Sequence, residues 1–170
     1  CGFNVVVPTG NFGNILAAYY AKMMGVPINK LICASNSNNV LTDFIKTGTY
    51  DRNRSFYTTI SPSMDILISS NLERMLYELT DHDDKQVAAW QESLKNDGKY
   101  TVSDKVFAKL KELFYGGFCS EEETAATIKN TLDKYDSLID THTAVAARVH
   151  EKNTKETGDL RPVVIASTPS

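Results

Sequence analysis

The sequence predicts an α/β fold, a parallel sheet flanked by helices, with a helical insertion. Two observations carry this. Val5, Val6 and Val7 form a continuous β-branched run of the kind buried on both faces of a sheet. That run passes through "PTGNFGN" into a helical pattern and then into a second apolar run, with short links throughout. Three segments follow from the pattern: residues 1–60 as a βαβ unit with a glycine loop, 61–137 as a mainly helical insertion, and 138–170 as a helix and closing strand of the same α/β domain.

Each element has its own signal. Residues 4–7 read as a strand, and residues 11–24 as a helix with Ile15, Leu16, Tyr19 and Met23 at helical spacing. Gly25 stops that helix and Pro27 follows it, the usual exit punctuation. Residues 30–34 form the second strand, "SNSNN" a polar turn, and 40–46 a short helix ending near Gly48. Beyond Pro62, residues 64–79 carry a long helical pattern with Ser63 as candidate N-cap. Helices are also expected over 84–95, 103–114, 120–135 and 141–152, with a short strand around 99–102 and a closing strand over 162–167. Ser120 with Glu123 has the spacing of a capping box, and Asp140 stands where an N-cap should.

The 170 residues carry 18 basic and 21 acidic side chains, a formal charge of −3, which leaves no basic footprint for nucleic acid. No apolar run approaches the ~20 residues of a membrane span, and no signal peptide is evident. Cys1, Cys33 and Cys119 are odd in number and form no metal-type pair, so they read as reduced thiols of a cytoplasmic protein. Cys33 sits in an apolar run and is expected in the core. No His, Cys or carboxylate spacing supports a metal site. The chain opens on a strand without Met and closes as another strand ends, as expected of a piece of a longer protein.

The chemistry concentrates in "PTGNFGN". A strand, a glycine turn and a helix start present backbone N–H groups and a positive dipole end to an anion. Gly10 and Gly13 let the backbone come close or take positive φ, and Thr9, Asn11 and Asn14 add neutral donors. With no Lys or Arg before Lys22, this is a neutral amide cradle. Spacing alone leaves open that the glycines only make the turn. A P-loop is excluded because no Gly-Lys-Ser/Thr exists. A dinucleotide site is disfavoured because the loop lacks the middle glycine and the next strand ends in Ala34-Ser35-Asn36, without a carboxylate for ribose. A lone phosphate fits best.

The run from Pro8 to Tyr50, with "SPSMDILISSNLERMLYEL", "DTHTAVA" and "ASTPS" following in order, resembles the longer-form threonine synthases, pyridoxal-phosphate enzymes of fold type II. The resemblance implies that Gly10, Asn11, Phe12, Gly13 and Asn14 cradle the phosphate of pyridoxal 5′-phosphate, and that Ser167 and Thr168 face its pyridine nitrogen. It implies a parent reaction turning the small molecule O-phosphohomoserine and water into threonine and phosphate. The family's Schiff-base lysine lies in a part upstream of this chain. No residue here is therefore carried over as catalytic, and the chain alone is expected to be inactive. The third motif departs from the family in having Thr141 and Ala146 where Pro and Gly are common. His142 is expected to be a helix-start histidine satisfied by backbone. Ser61, Ser63, Asp65, Asn71, Glu73 and Arg74 are expected to serve capping and packing. The alternatives are another fold type II lyase, such as a serine dehydratase, and a non-enzymatic phosphate- or nucleotide-binding module.

Overall fold

A computed structural model describes residues 2–167. In chain order the elements are β1 (Phe3–Pro8), α1 (Gly13–Met23), β2 (Ile28–Ser35), α2 (Val40–Thr47), β3 (Thr49–Asp51), a 3-10 turn (Pro62–Met64), α3 (Leu72–Leu79), α4 (Asp84–Asp97), β4 (Lys99–Thr101), α5 (Asp104–Leu113), β5 (Phe114–Phe118), α6 (Glu121–Tyr135), α7 (Thr141–Thr157) and β6 (Val163–Ile165). Four strands form a parallel sheet in the order β5-β2-β1-β6. β3 and β4 make a separate antiparallel pair in which Tyr50 lies opposite Tyr100.

The valine run is explained by the two faces of that sheet. Side chains alternate along a strand. Val5 and Val7 accordingly join Leu31, Cys33, Ile15, Leu16, Phe44, Leu110 and Phe114 in one core. Val6, Ile32 and Ala34 join Met64, Val145, Ala146 and Val149 in the other. Burial pushes the Cys33 thiol up to about 12, so it stays protonated and inert. Two of the three expected caps act as the spacing predicts; Ser63 instead lies inside the 3-10 turn Pro62–Met64 and caps no helix. Ser120 and Glu123 complete the capping box, and Asp140 accepts from the amides of His142 and Thr143.

Two expectations fail. Residues 65–71 are not helical, because their polar groups bond elsewhere in the fold. The Tyr50 hydroxyl donates to the Leu67 carbonyl and accepts from the Ser69 amide, at 2.7 and 2.9 Å. Asp65 is held by Asn36, Asn38 and Thr59. Side chain and backbone partners of this kind compete directly with a helical ladder. The second failure is β5, whose sequence FYGGF pairs with β2 from Leu31↔Phe114 to Ser35↔Phe118. The stretch expected to be a helical insertion therefore contributes a strand to the central sheet.

Candidate anion site at the strand ends

β1 ends at Pro8, opposite Ala34 of β2, and the chain turns into α1 through Thr9 to Phe12. In parallel sheets ligands sit in the crevice beyond the carboxyl ends of the strands. A cleft of about 270 Å³ lies there, lined by residues 7–15, by Ser63 and Met64 of the 3-10 turn, and by His142 of α7.

The turn is built around a left-handed residue, and that residue is Phe12 rather than a glycine. Phe12 has φ 66° and ψ 9°, while Gly10 and Gly13 have no positive φ. The buried Phe12 ring packs 5.7 Å from that of Phe114, which holds the unusual backbone in place. A left-handed residue beside right-handed ones turns successive N–H groups to one side. The first bond of α1 runs from the Leu16 amide to the Phe12 carbonyl, so the amides of residues 12–15 have no acceptor within the helix.

The loop carbonyls are drawn the other way. Ser69 Oγ donates to the Gly10 carbonyl at 2.7 Å. The amide and the Nδ2 of Asn71 both donate to the Asn11 carbonyl at 3.0 Å. Asn71, expected to serve capping and packing, makes no side-chain cap bond to α3 and braces the loop instead. Gly10 is needed for space: a Cβ there would stand 2.6 Å from the Ser63 carbonyl oxygen. A Cβ on Gly13 would meet only Asn71 Nδ2, at an ordinary 3.6 Å. Thr9, expected as a donor, turns its hydroxyl back to the Val7 carbonyl at 2.7 Å. The result is a concave row of free amides with its carbonyls pinned away, chemistry that suits an oxyanion.

His142 differs most from expectation. Its ring is 1% exposed, and among the described residues neither nitrogen finds a hydrogen-bond partner. Nδ1 lies 3.3 Å from Asp140 Oδ1 without a hydrogen bond between them, and that oxygen accepts from the His142 and Thr143 amides at 2.8 and 3.1 Å. Partial burial raises the Asp140 carboxyl, but bonds from the Thr143 hydroxyl and these amides outweigh it and hold it below its ordinary value. Ser167 Oγ lies 3.2 Å from Thr143 Oγ1, at the same helix start but outside the cleft lining. Thr168 lies outside the described residues. Among the described residues no group of three His, Cys, Asp or Glu is placed to hold a metal, and no helix is long and apolar enough to cross a membrane.

No protein-family model matches the chain. Human threonine synthase-like 1 is 48% identical over 166 residues, covering 97% of this chain and 22% of that protein. The threonine synthase of Saccharomyces cerevisiae is 41% identical over 160 residues, 86% of this chain and 31% of the yeast protein. The pyridoxal-phosphate-bound threonine synthase of Brucella melitensis superposes on all of this chain with a TM-score of 0.93 at 39% identity, across 36% of its own length. Over nearly its whole length the chain is similar to threonine synthases. It spans about a fifth to a third of the length of the relatives it matches.

The structure brings Gly10, Asn11, Phe12, Gly13 and Asn14 to one cleft. The braces from Ser69 and Asn71 escaped sequence reasoning, although both stand in the second motif quoted for the resemblance. Their partners lie 59 and 60 residues away, a pairing that no local spacing reveals.

Proposed function

We propose that this chain is the cofactor-phosphate-binding portion of a threonine synthase, whose whole protein converts O-phosphohomoserine and water to threonine and phosphate with pyridoxal 5′-phosphate. The observation that carries the reading is the braced amide row of residues 10–14, with its carbonyls held away by Ser69 and Asn71. A phosphate monoester fits it: the N–H groups converge at a helix start, and the cleft has room for more than the phosphate alone. Gly10, Asn11, Phe12, Gly13 and Asn14 would bind the phosphate through backbone, and Ser167 and Thr168 would face the pyridine nitrogen. When bound, the cofactor supplies an electron sink to the reaction. This chain's own residues fix the phosphate, and with it the orientation of the ring, while Phe12 and Met64 keep the floor of the cleft apolar.

No lysine lines the cleft among the described residues. With the Schiff-base lysine assigned upstream, the chain alone should release no phosphate from O-phosphohomoserine. The two buried free thiols, Cys33 and Cys119, accord with a reducing cytoplasmic setting. The names and identities of the relatives do not favour a serine dehydratase-like lyase.

The cradle is tested by titrating the 170-residue chain with inorganic phosphate and following amide shifts. Neutral amides and a partial dipole charge should give a midpoint on the order of millimolar, about −4 kcal/mol. The shifts should cluster on residues 10–15. Shifts gathered instead on the lysines of α4 to α6, with the loop silent, would refute the site.

A further inference from the structure

We infer that His142 is a second ligand of the phosphoester held in this cleft: its imidazolium bridges the Asp140 carboxylate through Nδ1 and the bound anion through Nε2. The inference rests on the amide-cradle reading and extends it to a charged side chain.

Two observations carry it. The first is a buried histidine, 1% exposed, whose two nitrogens both lack partners among the described residues, where Ser35 Oγ and His150 Nδ1 are the other buried side-chain atoms without one. Leaving a buried polar atom unpaired costs ~1–3 kcal/mol, so such a group is expected to have a partner in its working state. The second is position. Among the described residues, His142 is the one ionisable side chain lining the cleft, and its other lining residues are neutral. A dianion held by amides alone would have no counter-charge there, and a protonated imidazole would supply one.

The surroundings agree. Asp140 stands 3.3 Å from Nδ1 and is already fixed as the N-cap of α7, so it orients the ring without leaving its post. The loop presents Thr9, Gly10, Asn11 and Asn14, and the 3-10 turn presents Ser63 and Met64, none of which ionises near neutrality. Among the described residues, Asp140 is the charged neighbour beside the ring on the helix side. The atom left for the anion is Nε2.

Inorganic sulfate tests this, because it stays a dianion throughout the pH range in which imidazole titrates. The 170-residue chain should bind sulfate more tightly at about pH 6 than at about pH 8, because the protonated ring is the ligand. The His142 ring nitrogens should shift toward the imidazolium pattern on addition. His142→Gln should abolish the pH dependence and weaken binding at the lower pH about tenfold, the worth of one charge-assisted hydrogen bond. His150→Gln should change neither. If sulfate moves the loop amides equally in the parent chain and His142→Gln, with ring nitrogens unmoved, the histidine has no part in binding and only the cradle stands. Loop amides silent at both pH values would overturn the cradle and this inference with it. The ring-nitrogen readout needs no variant, so a His142→Gln chain that fails to fold leaves the proposal open to refutation.

Discussion

Gly10 and Gly13 look equivalent in the sequence, yet a single added methyl group separates them. At Gly10 the methyl would press into the Ser63 carbonyl at 2.6 Å, a backbone atom that cannot swing away. At Gly13 it would meet the end of the Asn71 side chain at 3.6 Å. Gly10→Ala should therefore destabilise the chain by about 1–3 kcal/mol as an overpacking substitution, whereas Gly13→Ala should change stability far less. Thermal or denaturant unfolding of both variants checks the contrast, and equal losses would contradict it. The loop's chemistry was legible in "GNFGN" because strand, glycine turn and helix start follow one another in sequence. The identity of the left-handed residue was not. A glycine is the natural guess, but Phe12 is held there by Phe114, about a hundred positions on in the chain.

Among the elements, the segment from Ser61 to Asn71 does most to separate expectation from structure. Its apolar spacing suits a helix, and only the distant partners Tyr50, Asn36, Gly10 and Asn11 show why it is irregular. β5 escaped notice for a similar reason. Glycines are poor strand formers, but Gly116 lies against Thr42 and Ile45 of α2, and Gly117 against Val149 of α7, where an added methyl group would crowd its neighbours. Strands β1 and β2 and helices α6 and α7 were legible because their signals are local: β-branched runs, caps and helical periodicity. The brace makes its own prediction. Ser69→Ala and Asn71→Ala each remove a bond to a loop carbonyl, so each should cost about 0.5–1.5 kcal/mol and weaken anion binding in the loop several-fold. Sulfate titration by amide shifts, together with unfolding curves, measures both. Affinity unchanged in the double variant would mean the loop holds its shape unaided.

Over the whole molecule, stability in acid should turn on the ion cluster joining α6 to α7. Glu123 accepts from Arg148 Nε and Lys152 Nζ at 2.9 and 2.8 Å. Partial burial acts to raise its carboxyl, but the bonds from Lys152, Arg148 and the Ser120 amide prevail and bring it down from 4.5 to about 2. A depressed carboxyl contributes fully above its unfolded pKa, and the contribution fades as pH falls toward the folded value. Glu123→Gln, which keeps an amide able to complete the capping box, should be less stable than the parent chain near neutrality. The gap should narrow between about pH 5 and about pH 2. Melting temperatures of the two proteins across that range decide it, and a constant gap would show that the cluster adds nothing. The 59-residue span from Gly10 to Ser69 also bears on the order of folding. Strand, turn and helix can meet early because they are neighbours in the chain, but the carbonyls of the loop are not captured until that long loop closes, against an entropy of about 3–4 kcal/mol. Binding competence should therefore lag behind the appearance of secondary structure during refolding. A dye or anion reporting on the cleft would then recover later than far-ultraviolet circular dichroism.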